Sequence, residues 1–448
     1  MTVTSPARET FTSRFGTLMT MIGVAVGLGN VWRFPYMVGK FGGAAFVLLY
    51  VLAVLAIGVP ALMAEWALGR HTRRGPVGAF SAGGLPFGRY VGWFFFFVVS
   101  AATAYYTAVV GWVLYFAVAD VASVIGPSVD ASAILPPGAG FSAKSFLLQL
   151  ACTAAVILAC AVVLIRGLRS GIEAASKIIM PTLFVILLVL VARSLTLPGA
   201  MDGVQWYILK FSLADINAKV MVAAMGQAIF SLSLGGTFMV VYGSYLTPRD
   251  SLAGNAAWTA VGDTSAGLLA GLAIIPAAMA LGMEPSQGPG LLFSTLPDVF
   301  AAIPFGGLFG LLFFAGLFGA AYLSDVAAFE VLVAGLTDNT RVNRTRGVWI
   351  MSAVVFLLAI PPSINTRIFV PWDLLFGSGM QTLGSLLAVL TIGWCVHRSA
   401  ALKALAGEGG LPVPAWLFHW IRFGIPAAIL SVGVWWLLTS VFGTIAGV

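Results

Sequence analysis

Three glycines and two polar side chains interrupt the first long apolar segment of the chain, between Gly23 and Tyr36. Glycine costs about 1 kcal/mol relative to alanine in a helix interior, so these glycines predict a break in the helix. Asn30 and Arg33 add an amide and a charge where lipid disfavours both. Irregular backbone at membrane depth survives only if it is buried in protein or lines a wet cavity. We therefore expect an opened helix whose backbone binds a small charged solute.

The composition shows which elements must position this stretch. The chain has 448 residues, of which 60% are hydrophobic and 9% charged, whereas soluble domains carry about 25% charged residues. A spanning helix needs about 20 mostly apolar residues, and eleven segments qualify. These segments are 15–39, 43–70, 88–121, 145–166, 172–195, 218–245, 253–283, 306–335, 346–363, 369–397 and 415–446. The sequence predicts an all-α polytopic membrane protein embedded in the lipid bilayer.

The positive charges predict the orientation of the chain. Lysine and arginine concentrate in one set of loops, including the N-terminal one, and such loops face the cytoplasm. We expect a multi-pass protein of the cell's inner (plasma) membrane with a cytoplasmic N-terminus. The net charge of +7 is spread over short loops, which argues against a nucleic-acid partner. All three cysteines lie in apolar segments, which favours packing over disulfides.

A second interruption lies in the sixth segment, at Ser231 to Thr237, where hydroxyls and paired glycines occur. Breaks at corresponding positions in two halves indicate an inverted-repeat transporter site. The alternative is that small residues only allow close helix packing. We predict one transmembrane domain over 1–448. Its first repeat covers 15–195 (helices 1–5), its second covers 218–397 (helices 6–10), and an eleventh helix covers 415–446.

Five motifs resemble those of the neurotransmitter:sodium symporter family, in its bacterial amino-acid transporter branch. They are Gly27 to Tyr36 (GLGNVWRFPY), Glu65 to Arg70 (EWALGR), Tyr105-Tyr106, Ala175 to Pro181 (ASKIIMP) and Gly226 to Gly235 (GQAIFSLSLG). The resemblance runs from about Arg14 to the end of the eleventh segment. It implies the leucine-transporter fold, a 5+5 inverted repeat with helices 1 and 6 broken.

The resemblance also implies a substrate site between the two broken helices. Backbone N–H groups of Leu28 and Gly29, with the Tyr106 hydroxyl, would bind a carboxylate. An aspartate stands at the position of Gly27 in the family's monoamine transporters, so Gly27 favours an amino acid. The implied substrate residues are Ala25, Gly27, Leu28, Gly29, Ala102, Tyr106, Phe230, Ser231, Ser233, Gly236, Gly319 and Leu323. Small residues such as Gly236 favour an aromatic or bulky aliphatic side chain, unless neighbouring side chains fill the space.

One sodium site is implied by the same resemblance. Its ligands would be the Ala25 carbonyl and the side chains of Asn30, Ser231 and Asp263. Asp263 lies within a predicted span, where an acid is a functional candidate by default. The negative charge of Asp263 would replace the chloride that many animal members need, so we expect chloride independence. The alternative is that Asp263 only bonds a neighbouring helix.

A second sodium site is in doubt on the sequence. It would use the carbonyls of Gly23, Val26 and Ala315 and two hydroxyls in the eighth segment. We expect Phe318 and Gly319 at those two positions, and neither residue has a hydroxyl. Coupling to one sodium, coupling to protons, and ion-independent exchange therefore remain open, with one sodium favoured.

The resemblance also implies a gate at each end of the substrate site. In the family, the pair matching Arg33 and Asp373 forms the outer gate. Arg8 would be the cation of the inner gate, with Asp338 as a candidate partner. No role is assigned to Glu330.

Other classes of function fit the sequence less well. No nucleophile–base set and no zinc spacing appears among the histidines, so an enzyme is not expected. A sensor that binds an amino acid without transport is the alternative from a different class. A monomer or weak homodimer is expected.

Overall fold

The computed structural model describes residues 8–125, 129–210, 213–283, 293, 296–408 and 412–442. Within these residues every regular element is a helix. The principal helices are α1 (Arg14–Ala25), α2 (Gly29–Phe41), α3 (Ala44–Thr72), α4 (Gly88–Ile125), α5 (Ala143–Ile165), α6 (Leu168–Leu195), α7 (Ala218–Ser231), α8 (Phe238–Gly243), α9 (Leu252–Ala280), α10 (Gly306–Asn339), α11 (Arg344–Ala359), α12 (Thr366–Cys395) and α13 (Ala415–Thr439). The all-helical fold class is confirmed.

Each of the eleven predicted segments coincides with a helix or a pair of helices. Eight helices in the described part are long and apolar enough to cross a membrane. A ninth span is formed by α1 and α2, which meet at an angle of 56°. The remaining two segments are the broken sixth, α7 with α8, and the 16-residue α11. The count of eleven is therefore not fully confirmed by helix length and hydropathy.

The first break begins where α1 ends at Ala25, and local chemistry defines its ends. The Ser13 side chain caps α1 by accepting the Gly16 N–H at 3.0 Å, as N-cap serines do. Val26 then takes an extended conformation, with φ −72° and ψ 122°. The helical path resumes at Gly29. Three residues therefore leave the helix in the middle of the bundle.

The second break separates α7 from α8 through a run of left-handed residues. Ser233, Gly235, Gly236 and Thr237 all have positive φ, between 50° and 88°, and such residues cannot continue a right-handed helix. A Cβ at Gly235 would collide with the backbone of Gln381. The Gly235 N–H donates to Glu65 Oε1 at 2.9 Å. Glu65, which is fully buried on α3, therefore satisfies a backbone donor released by the break.

Candidate substrate and ion site

The break between α1 and α2 presents backbone donors to other helices. The Gly27 N–H donates to the Asn30 side-chain oxygen at 3.1 Å. The Leu28 N–H points to the hydroxyl oxygen of Tyr106 on α4, at 3.4 Å. Free N–H groups at the start of a helix favour a negatively charged group. Leu28 and Tyr106 therefore form a polar end suited to a carboxylate.

A cavity of about 140 Å³ lies against this polar end. Eight of the residues implied by the sequence line it: Ala25, Gly27, Leu28, Gly29, Ala102, Tyr106, Phe230 and Ser233. Several other residues of its wall were not predicted from the sequence, among them Thr103, Phe238, Ser324, Ala328 and Trp436. The wall is mainly apolar away from Leu28 and Tyr106. A small solute with one charged end and one apolar end matches this distribution.

Four of the implied substrate residues lie outside the wall of this cavity. Ser231 belongs to the oxygen cluster described below. At Gly236, the Phe238 ring lies 2.6 Å from where a Cβ would stand, so Phe238 fills the space that the glycine leaves. Gly319 and Leu323 face other helices, α6 and α1 respectively. Gly236 was expected to widen the cavity. It does not do so, because the Phe238 ring occupies the space beside it.

The register of α10 differs from the one expected. Ala315 is exposed on the surface of the bundle, whereas Gly23 and Val26 are buried. The Phe318 ring stacks on Tyr322. The predicted grouping of Ala315, Phe318 and Gly319 around Gly23 and Val26 is therefore wrong.

Leu323 and Ser324 lie opposite the first break instead. Leu323 Cδ1 lies 3.1 Å from the position of a Cβ on Gly23. The Ser324 hydroxyl donates to the Val24 carbonyl at 3.3 Å. A shift of five residues along an unbroken helix turns each side chain by about 140° and moves it by about 7.5 Å. The motifs contain no signal for this shift, because every residue from Phe313 to Leu323 except Tyr322 is apolar or glycine.

A buried cluster of oxygens lies behind the polar end of the cavity. The Asn30 amide donates to Asp263 Oδ1 at 2.7 Å and to Ser231 Oγ at 2.9 Å. The Ser231 hydroxyl donates to Asp263 Oδ2 at 2.6 Å. The Tyr50 hydroxyl lies 3.2 Å from Ser231 Oγ and 3.5 Å from Asp263 Oδ2. These four side chains, from four helices, are at most 1% exposed.

The donor set of this cluster fits an alkali cation. It contains a carboxylate and hydroxyls, and the Ala25 carbonyl lines the adjoining cavity. The Asn30 side-chain oxygen accepts the Gly27 N–H here and would turn toward the cluster to bind a cation. Oxygen ligands of this kind, with carbonyls of unwound helices, coordinate sodium in transporters. None of the ion pairs among the described residues includes Asp263. Because a buried unpaired carboxylate is costly, a bound cation would stabilise the cluster.

One end of the bundle is open. A cavity of about 1080 Å³ adjoins the small one there, and Lys40, Lys219, Arg33 and Asp373 are in its wall. The Arg33 guanidinium lies over the Phe230 ring, 4.1 Å from its centre. No ion pair joins Arg33 to Asp373 among the described residues. The expected gate residues therefore face the same opening without forming an ion pair.

The opposite end is closed by Arg8. Its guanidinium pairs with Asp338 at 2.5 Å and lies 4.9 Å from the centre of the Tyr245 ring. The Gly75 N–H also donates to Asp338, at 2.7 Å. Burial alone would lower the pKa of the Arg8 guanidinium, but attraction to Tyr245 and Asp338 outweighs it and raises that pKa. Asp338, only a candidate on the sequence, is the partner in this structure.

Glu330 belongs to the same end. Arg344 binds both of its carboxylate oxygens, at 2.6 and 3.1 Å, and the Tyr245 hydroxyl donates to it. Because Arg8 lies on Tyr245, the two ion pairs are linked through one aromatic ring. Glu330, which had no assigned role, therefore connects α10 to the start of α11 at the closed end.

Comparisons with known proteins agree with this architecture. The model of the Sodium:neurotransmitter symporter family matches residues 8–126 and 144–437. A sodium-dependent transporter of Haemophilus influenzae is 30% identical over 96% of this chain and 99% of its own length. The sodium-dependent transporter YhdH of Bacillus subtilis is 32% identical over 94% and 96%. The sodium-dependent dopamine transporter of Bos taurus is 26% identical over 95% of this chain and 68% of its own.

A solved structure shares the fold. The crystal structure of MhsT in complex with L-phenylalanine matches with a TM-score of 0.81 and 33% identity, covering 95% of this chain and 99% of that one. The family match extends over both broken helices and over the helices that hold the oxygen cluster. The predicted resemblance is confirmed, and this chain belongs to the sodium:neurotransmitter symporter family of membrane transporters.

Proposed function

We propose that this chain imports an amino acid with an apolar side chain, driven by one sodium ion, by alternating access and without chloride. The observation that carries the proposal is the first break. The break places the Leu28 N–H and the Tyr106 hydroxyl at one end of an apolar cavity. Asn30, three residues beyond Gly27, joins the oxygen cluster behind it. One short segment thus contacts both solutes, which couples their binding.

An amino-acid substrate is supported by the space at Gly27. A Cβ there would lie 2.8 Å from the Tyr106 hydroxyl oxygen and 2.9 Å from Ser324 Oγ. An acidic side chain that could meet an amine has no room at this position. The polar end therefore suits the carboxylate of the substrate. MhsT, of the same fold, has been crystallised with phenylalanine, and the apolar wall formed by Phe230, Phe238 and Ala328 suits a side chain of that class.

Coupling to one sodium is supported by a difference between two positions near the first break: oxygen atoms surround Asn30, whereas an apolar side chain lies beside Gly23. The cluster of Asn30, Ser231 and Asp263 offers a carboxylate and neutral oxygens. Beside Gly23, where a second ion was expected, the apolar side chain of Leu323 takes up space. Chloride independence is supported by Asp263, whose carboxylate already supplies a negative charge to Tyr50 and Ser231.

The open and closed ends support alternating access. With the N-terminus in the cytoplasm, the open end faces outward and the Arg8 end faces inward. Substrate would enter past Arg33 and Asp373, and these residues would then approach each other. Opening of the Arg8–Asp338 pair would release both solutes inside.

Uptake into proteoliposomes tests this function. Labelled phenylalanine, leucine and alanine are supplied under an inward sodium gradient, with potassium replacing sodium and gluconate replacing chloride in parallel samples. We expect accumulation of phenylalanine or leucine that requires sodium and not chloride. Binding without accumulation would identify a sensor, and equal uptake in potassium would reject sodium coupling.

A further inference from the structure

Asp325 is a buried acid that the proposed mechanism does not use. It lies on α10 and is 0% exposed. Its Oδ1 lies 3.0 Å from Thr107 Oγ on α4, and its Oδ2 lies 3.8 Å from Cys160 Sγ on α5. None of the ion pairs in the described part of the chain includes it. An acid in a membrane span without a cation is a functional candidate by default.

The hydrogen bonds of Thr107 indicate where a proton sits. Thr107 Oγ lies 2.7 Å from the Thr103 carbonyl oxygen and 3.0 Å from Asp325 Oδ1. A hydroxyl has one proton to donate and two lone pairs to accept with. The carbonyl can only accept, and it is the nearer oxygen, so the hydroxyl proton belongs there. The contact with Asp325 is then a hydrogen bond only if Asp325 itself carries a proton and donates it to Thr107.

The groups around Asp325 agree with a neutral carboxyl. The titratable groups that act on it are Tyr106 from α4, Cys160 from α5 and Tyr322 from its own helix. Each of these is neutral in its ordinary state. Burial of an ionised carboxylate without a counter-charge is so costly that such a group becomes neutral instead.

Asp325 also lies directly behind the wall of the substrate cavity. Its neighbour Ser324 lines the cavity, and so does Thr103, whose carbonyl ends the hydrogen-bond chain from Asp325 through Thr107. Leu323, on the other side of Ser324, takes up the space where a second driving ion was expected. The acid is thus placed where movement of α1 against α10 would change its access to water.

We propose that Asp325 is a proton-coupling site: its carboxyl carries a proton in the outward-facing conformation and releases it to water when the inward end opens. The carboxylic acid then becomes a carboxylate and the proton passes to cytoplasmic water, so that a proton enters with each substrate. Protonation from the outside resets the site. This inference rests on the proposed amino-acid transport and assigns it a second driving ion.

The test uses the full-length protein in proteoliposomes containing a pH-sensitive dye, with phenylalanine as the substrate. Under an inward sodium gradient, substrate should acidify the lumen of wild-type vesicles. An acidic external medium should also stimulate wild-type uptake several-fold. In Asp325→Asn, which copies the neutral carboxyl in shape, both effects should be lost while substrate binding in detergent changes less than about threefold. The matched control is Asp120→Asn, which removes an acid from α4 away from the cavity wall and should keep both effects.

A second measurement does not depend on transport. The infrared spectrum of the wild-type protein should contain a C=O stretching band of a protonated buried carboxyl. That band should be absent in Asp325→Asn and present in Asp120→Asn. Proton movement that survives in Asp325→Asn, or a spectrum unchanged by that substitution, overturns the inference. Sodium-driven uptake without any lumenal pH change overturns only this inference, whereas absence of uptake in the wild type rejects the proposed function itself.

Discussion

The Arg33 guanidinium lies 4.1 Å from the centre of the Phe230 ring and forms no ion pair with Asp373 among the described residues. All three side chains are in the wall of the wide cavity. A cation held on an aromatic face is stabilised by about 0.5–2 kcal/mol, which is less than a buried ion pair of good geometry can supply. We therefore predict that Arg33 leaves the ring when a bound substrate closes the cavity.

Replacement of Asp373 tests this closing step. Asp373→Asn removes the negative partner, and loss of one member of a hydrogen-bonded charge pair costs about 2–5 kcal/mol. We expect uptake to fall about tenfold or more, while equilibrium binding of labelled substrate in detergent changes only a few-fold. Lys219→Gln, in the wall of the same cavity, is the control and should transport normally. Wild-type uptake rates in Asp373→Asn would show that the pair does not form.

The carboxylate of Asp263 should govern the response to ions. Asp263→Asn keeps the shape of the cluster but removes its one negative charge, so a cation bound beside Asn30 and Ser231 loses its counter-charge. We expect the sodium concentration for half-maximal uptake to rise about tenfold or more, in line with the cost of losing a charge-assisted contact. Uptake by the variant should respond to chloride, which can supply the missing charge.

The control for Asp263→Asn is Asp202→Asn, an exposed acid that should leave both ion responses unchanged. Sodium titrations of uptake, in chloride and in gluconate, measure the effect. If the variant has the same sodium dependence as the wild type, Asp263 acts only as a bond between helices.

Ala328 should limit the size of the substrate. It lines the cavity wall on α10, and isoleucine in its place adds three carbon atoms to that space. One methylene in an apolar pocket changes discrimination by about 1–3 kcal/mol. Ala328→Ile should therefore weaken phenylalanine binding about tenfold or more and affect alanine binding much less. Competition binding across apolar amino acids measures the change.

A matched control for Ala328→Ile lies on the same helix. Ala315 is exposed on the outer surface of the bundle, so Ala315→Ile should leave the order of substrate affinities unchanged. Equal effects of both variants on phenylalanine and alanine would contradict the position of Ala328 in the cavity wall.

The Arg8–Asp338 pair should hold the inward end closed. Asp338→Asn weakens both the ion pair and the contact with the Gly75 N–H. Because these side chains are 14% and 27% exposed, solvent screening limits the pair to about 1 kcal/mol, which corresponds to a shift of about fivefold in the closed-to-open ratio. Hydrogen exchange of backbone amides in α1 should accelerate by a similar factor.

Two controls accompany the exchange measurement. Exchange in α13, which lies away from Arg8, should not change in Asp338→Asn. Asp202→Asn should leave exchange in α1 as in the wild type. Protection of α1 that is unchanged in Asp338→Asn would assign closure to Glu330 and Arg344 instead.

Several features of the site followed from local sequence. The glycines between Gly23 and Gly29 and the run from Ser233 to Thr237 weaken a helix locally, because backbone preference depends on nearest neighbours. Asn30 and Ser231 were expected to share one ion site, and both lie directly in or beside those breaks. The structure places Asp263 with them, at 2.7 Å from the Asn30 amide.

Other features needed the packing of distant segments. Along α10 most positions from Phe313 to Leu323 are apolar or glycine, so the sequence contains no signal for which face meets α1, and the expected register was five residues off. Arg8 and Asp338 lie 330 residues apart in the chain, and no local pattern pairs them. The same is true of Phe238. Its ring fills the space beside Gly236 because Gly236 and Thr237 both have left-handed backbone conformations.

The sequence by itself determined the membrane-spanning helical architecture, the two breaks and the family, since apolar run length, glycine position and motif spacing are properties of short segments. Tertiary structure alone decided which face of α10 packs against α1, which residues pair with Arg8 and Glu330, and that the end of the bundle at Arg33 is open. These three features depend on side-chain contacts between helices. The free energy of such contacts is set by burial and distance, and neither can be read from one segment of the sequence.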